Sequence, residues 1–169
     1  AENMPSHTAY KPGDVLTFAD GTTVEILMTD AEGRLVVADG LLYAKRYKPQ
    51  AIIDVATLTG AVLVSLADYA SGLFTDHDDL AATLERLGKE TGDRVWRLPL
   101  VQEWNDSMKS SIADLKQVPT VRIADATLGG LFLQHFVDKN VPWAHLDVAG
   151  TAWKTEGYPY AEPGATGAP

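Results

Sequence analysis

Apolar positions recur along the chain in two rhythms. Val15-Leu16-Thr17 and Thr23-Val24-Glu25-Ile26-Leu27 flank Asp20-Gly21, a dipeptide that favours a tight hairpin because glycine adopts positive φ at little steric cost. After Thr29-Asp30-Ala31-Glu32-Gly33-Arg34, the residues Leu35, Ala38, Leu41 and Leu42 fall at helical spacing, and Pro49 closes that helix. Ala51 to Ala56 is a short, nearly continuous apolar run, which predicts a buried strand. Residues 61–66 and 71–74 predict further strands. Asp78 or Asp79 can cap a helix that presents Leu80, Leu84 and Leu87 on one face and ends near Gly92. A short helix is expected over 101–108, after Pro99, and a longer one over 124–139 with Leu128, Leu131, Phe132 and Phe136 inward. Gly129 and Gly130 weaken that helix by about 1 kcal/mol each relative to alanine, unless close packing requires them. Residues 143–148 predict a last buried strand, and the Pro- and Gly-rich tail over 158–169 has no periodicity.

Strands alternating with helices predict an α/β fold, a three-layer α/β/α sandwich with a mixed central sheet, mixed because it also takes in the hairpin. The 169 residues suit a single domain with a sizeable core. Such folds place their chemistry at the carboxyl ends of strands, which directs attention to the junctions after Leu27, Ala56 and Val148. The net charge of -9 argues against nucleic acid and anionic membranes as partners, since both need a basic footprint. The sequence has no cysteine, which excludes disulfides, thiolate metal sites and a cysteine nucleophile, and favours a reducing cytoplasm. Residues 1–5 lack the basic and apolar regions of a signal peptide. The longest apolar stretch, near 61–74, is interrupted by Ser65, Asp68 and Ser71, so a soluble chain is expected.

Asp30, Glu32 and Arg34 recur at every second residue. In an extended segment all three side chains leave one face. Two carboxylates so placed raise each other's pKa unless a cation lies between them, and hard divalent cations take oxygen ligands. Arg34 adds a fixed positive charge able to hold an anion or polarise a carbonyl. The same letters also suit a solvated acidic turn in front of a helix, where carboxylates favour the N-terminus.

The letters themselves resemble a known family. Thr29-Asp30-Ala31-Glu32-Gly33-Arg34-Leu35 is similar to the signature of the leucine aminopeptidases, two-metal peptidases of the cytosol. Four other segments are similar to further family segments: Ala1-Glu2-Asn3-Met4-Pro5-Ser6, Ile53-Asp54-Val55-Ala56-Thr57-Leu58-Thr59-Gly60-Ala61, Trp96-Arg97-Leu98-Pro99-Leu100 and Trp143-Ala144-His145-Leu146-Asp147-Val148-Ala149-Gly150-Thr151. The resemblance runs from residue 1 to about Gly167. It implies that Asp30 and Glu32 are metal ligands, with Glu32 bridging two divalent ions, zinc or manganese. It implies that Arg34 holds a bicarbonate-like anion acting as general base. Thr57, Leu58 and Gly60 then line the substrate cleft, with the Leu58 carbonyl binding substrate, and Ala149 and Ala152 shape the pocket for the amino-terminal side chain. The implied activity is removal of leucine-like amino-terminal residues from peptides, with two ions activating a shared water. The implied assembly is a hexamer and the implied compartment the cytoplasm.

The family's remaining ligands, a lysine and two aspartates, lie in a glycine-rich segment upstream of the position of Ala1. The chain therefore resembles the C-terminal part of the catalytic domain, without the family's amino-terminal domain, and little or no activity is expected of it alone. A non-catalytic assembly or binding module with the same fold is the competing expectation. Met28 stands where the family usually has asparagine, His7 where a small residue is usual, and Pro119 to Asp125 lacks a glycine- and alanine-rich form. His145 with Asp147, His77 among Asp76, Asp78 and Asp79, and the four tryptophans are expected to be structural. The sequence contains no His-Glu-x-x-His, Gly-x-Ser-x-Gly or Gly-x-x-x-x-Gly-Lys motif.

Overall fold

The computed structural model describes residues 4–120, 123–157 and 162–168. The expectations attached to Ala1-Glu2-Asn3, to part of the 119–125 stretch and to much of the tail lie outside those residues. β1 (Val15–Thr17) and β2 (Thr23–Glu25) form the expected hairpin, with Leu16 opposite Val24 and Gly21 at φ 91°. A 3-10 turn over Thr29–Ala31 leads into α1 (Gly33–Ala44). Next come β3 (Ile52–Ala56), α2 (Gly60–Leu66), β4 (Ser71–Phe74), α3 (Asp78–Thr91) and β5 (Val95–Arg97). A 3-10 segment over Gln102–Met108 precedes β6 (Leu115–Lys116), α4 (Asp125–Gln134), β7 (Trp143–Asp147), β8 (Trp153–Lys154) and β9 (Gly164–Ala165).

The main sheet has the order β3-β7-β4-β5. β3 is parallel to β7, β4 is antiparallel to β7, and β5 is parallel to β4. The sheet is mixed because β4 reverses, not because of the hairpin. The hairpin instead joins β6 in a separate sheet of order β1-β2-β6. β7 sorts its side chains by parity, as a pleated strand must. Trp143 packs with Phe132, Phe136, Leu131 and Ile26 beneath α1 and α4, while Ala144 and Leu146 pack with Leu73 and Ala81 beneath α3. Helices thus cover both faces, which gives the α/β/α layering.

Several local expectations fail. Residues 61–66 form α2 rather than a strand. The Thr59 side chain accepts the Val62 N–H at 3.2 Å and caps the helix, a local bond that outweighs the β preference of Val62 and Val64. β3 is an edge strand with alternating exposure, leaving Ile53 and Val55 each 49% exposed. α4 ends at Gln134 rather than Lys139. Its glycines are explained by close packing, since a Cβ at Gly130 would lie 2.9 Å from the Phe74 ring. Of the tryptophans only Trp143 is core, while Trp96, Trp104 and Trp153 are exposed. Among the described residues no helix is long and apolar enough to cross a membrane.

Candidate active site at the strand ends

The acidic junction is helical, so Asp30, Glu32 and Arg34 do not leave one face. Thr29–Ala31 is a 3-10 turn and Glu32 has φ -65° and ψ -33°. Two residues then subtend about 200° around the axis rather than a return to the same side. Asp30 and Glu32 are exposed, whereas Arg34 turns inward and is 6% exposed. Its Nη1 donates to the Gln117 carbonyl at 3.0 Å, and its guanidinium carbon lies 5.8 Å from the centre of the Phe132 ring.

Gln117, which sequence reasoning missed, holds the turn in place. It is fully buried. Its Oε1 accepts the N–H groups of Leu27 (3.4 Å) and Met28 (3.2 Å), and its Nε2 donates to the Ala31 carbonyl at 2.9 Å. Tyr10 stands beside the turn, its hydroxyl donating to the Thr29 carbonyl at 3.4 Å. Burial first, and the Glu32 carboxylate second, push that phenol above its ordinary pKa.

The second segment leaves β3 at its carboxyl end and enters α2. A fully buried carboxylate at the end of β7, Asp147, organises it. One oxygen accepts the N–H groups of Leu58 (3.0 Å) and Ala149 (3.2 Å). The other accepts the Thr59 N–H (3.1 Å) and hydroxyl (2.7 Å). A charged acceptor with four donors meets the hydrogen-bond demand that its burial creates.

The two segments converge on α4. A Cβ at Gly129 would meet Leu58 Cδ2 and Thr59 Cγ2 at 3.1 Å and Arg34 Nη2 at 3.7 Å, and one at Gly33 would meet Leu58 Cδ1 at 3.9 Å. The Leu58 side chain therefore sits between two glycines with Arg34 beside it, leaving Thr57 and Gly60 exposed. Ala149 joins this end of the sheet through its amide on Asp147. Ala152 does not, and packs instead against the cluster beneath α3.

His145 is fully buried, with Nδ1 2.5 Å from Asp54 Oδ1, and Trp143 Nε1 donates to Asp54 Oδ2 at 2.7 Å. The expected core histidine is thus satisfied at one nitrogen, while Nε2 is buried with no hydrogen-bond partner among the described residues. A cavity of about 590 Å³, bounded in part by Asp76, His77, Gln134, His135 and Trp143, lies at the other end of β7, away from this loop cluster.

Asp30 and Glu32 are hard oxygen donors of the kind that divalent ions take. Among the described residues no three His, Asp or Glu side chains gather into a metal cage. The residues present fit part of a metal site and no more.

Residues 1–169 match the sequence profile of the cytosol aminopeptidase family, catalytic domain. A probable cytosol aminopeptidase of Geotalea uraniireducens is 49% identical over 167 residues, covering 99% of this chain and 33% of that protein. One of Paraburkholderia phytofirmans is 51% identical over 168 residues, covering 99% and 32%. Among solved structures, a mutant of tomato leucine aminopeptidase aligns with a TM-score of 0.90 at 43% identity, covering 98% of this chain and 32% of that one. The chain spans about a third of the length of these relatives.

Proposed function

Because this chain belongs to the cytosol aminopeptidase family, we propose that it supplies part of a metal-dependent site that removes leucine-like amino-terminal residues from peptides. One observation carries this reading. The Thr29–Arg34 turn and the Thr57–Gly60 loop, far apart in sequence, meet around Leu58 at Gly33 and Gly129 of two helices. Asp30 and Glu32 would hold divalent metal, zinc or manganese, which when bound supplies a Lewis acid and an acidified water. Glu32 would bridge two ions. Arg34 would bind a bicarbonate-like anion, and Thr57, Leu58 and Gly60 would line the cleft. Ala149, and by resemblance Ala152, would shape the side-chain pocket. Desolvated by the helices around it, the Arg34 guanidinium offers an anion a stronger attraction than an exposed one would.

A polypeptide of this family would act in the cytoplasm as a homo-oligomer, a hexamer by family resemblance, with peptides as its partners. The 169-residue chain alone is expected to hydrolyse little or nothing, because two carboxylates do not saturate two ions. A non-catalytic module with this fold is the second reading. Leucine p-nitroanilide with manganese or zinc tests both. Hydrolysis is expected from a polypeptide that joins this chain to the remaining family ligands, and background rates from the chain alone. Brisk hydrolysis by the chain alone would refute the shortage, and no hydrolysis by the joined polypeptide would refute the enzyme reading. Calorimetric titration of the chain with metal tests whether Asp30 and Glu32 hold an ion, none or one weakly bound ion being expected, and Asp30→Ala should abolish any site-specific heat.

A further inference from the structure

We propose that Asp147 is a positioning residue that aims two backbone carbonyls, those of Thr57 and Leu58, at the bound substrate. The argument begins with the planarity of the peptide bond. In a trans peptide unit the C=O and the following N–H point in opposite directions. The Leu58 N–H and the Thr59 N–H both run to the buried Asp147 carboxylate, at 3.0 and 3.1 Å. The carbonyls of Thr57 and Leu58, which share those two peptide units, are therefore directed away from β7. Thr57 on this loop is exposed and Leu58 is partly buried.

Two acceptors so directed suit a ligand rich in N–H donors, such as a free amino terminus or a peptide amide. The Thr59 hydroxyl takes part on both sides, donating to Asp147 at 2.7 Å while accepting the Val62 N–H at 3.2 Å. One carboxylate thus fixes the loop and the start of α2 together. Asp147 itself is fully buried and meets no ligand, so it acts through the loop. The identity of the ligand rests on the aminopeptidase reading, whereas the geometry does not.

Two measurements test the assignment. In the 169-residue chain, amide hydrogen exchange is followed by NMR in wild type, D147N and T59V. Leu58 and Thr59 amides are expected to exchange at least tenfold faster in D147N, with those of β3 unchanged, because the isosteric amide replaces an acceptor with a donor. T59V, which keeps the carboxylate, should give a smaller acceleration centred on Thr59 and Val62. In the polypeptide joined to the remaining ligands, D147N should raise KM for leucyl substrates at least tenfold and change kcat less than threefold, as expected when ground-state and transition-state contacts are lost together. Unchanged exchange at Leu58 and Thr59 in D147N, or a folded D147N whose KM stays within twofold of wild type, overturns the proposal. If D147N does not fold, unaltered exchange and KM in T59V overturn it. If the wild-type polypeptide hydrolyses nothing, the aminopeptidase reading fails, and the exchange data alone decide the role of Asp147.

Discussion

At Gln117 a single side chain bridges sequence separations of 90, 89 and 86 residues, to Leu27, Met28 and Ala31. Removing it takes one partner from each of two N–H groups and a carbonyl in a partly buried setting. Gln117→Leu, close in volume, should therefore cost about 2–3 kcal/mol by urea unfolding, more than its gain in apolarity returns. Three carboxylates outside the core contribute to the acid response. Asp14, Asp68 and Asp114 all titrate below the ordinary range because the side chains of Lys11, Lys154 and Thr23, respectively, donate to them. A carboxyl whose folded pKa is depressed adds stability above its unfolded value of 3.8 and loses it as pH falls through the folded one. The urea midpoint is thus expected to begin falling below about pH 7, because burial lowers the His135 pKa from 6.5 and the unfolded chain takes up that proton first, and to fall further below about pH 4 as the three carboxyls protonate. Asp114→Asn should make that decline shallower, and an unchanged slope would remove Asp114 from the account.

Among the elements, α4 depends most on what it lacks. At Gly130 an alanine gains about 1 kcal/mol of helix propensity. Its Cβ would also lie 2.9 Å from a fully buried Phe74 ring, and overpacking of that kind costs about 1–3 kcal/mol. Gly130→Ala should therefore be net destabilising, measured as a lower thermal midpoint. That outcome was half legible in the sequence, where the glycine pair marked a place of close approach without naming Phe74. α2 shows a signal that was present and underused, because Thr59 three residues before Val62 is an N-cap signature, yet the apolar run over 61–64 read as a strand. The acidic junction shows the opposite case. Its letters identified the family, but their alternation suggested an extended segment, since the Leu27 and Met28 amides at its entry bond to a residue some 90 positions away. Asp147 was likewise visible only as one of a pair with His145. Nothing in its neighbourhood predicted that it would hold a loop 88 and 89 residues upstream.

For the whole molecule, layering and helix order were readable from periodicity, whereas the sheet's pairing was not, because strand order depends on contacts no local pattern encodes. β3 ends up at an edge with Ile53 and Val55 half exposed, no lysine or proline on it, and its one charged residue, Asp54, bonded to Trp143 and His145, so little on it discourages edge pairing. The 169-residue chain should accordingly self-associate with rising concentration in gel filtration, and Ile53→Lys should shift it towards monomer. The place of β7 between β3 and β4 also governs how the chain can be made. Asp54 lies 91 residues before its partner His145, and ribosomes add about 5–20 residues per second. For roughly 5–20 s, then, β3 is out of the ribosome without its partner strand, and β4 for about 4–14 s. The main sheet cannot close until β7 has been translated. Non-local closure of this sort is slow, so arrest-peptide force profiles should register folding only after Asp147 has cleared the exit tunnel.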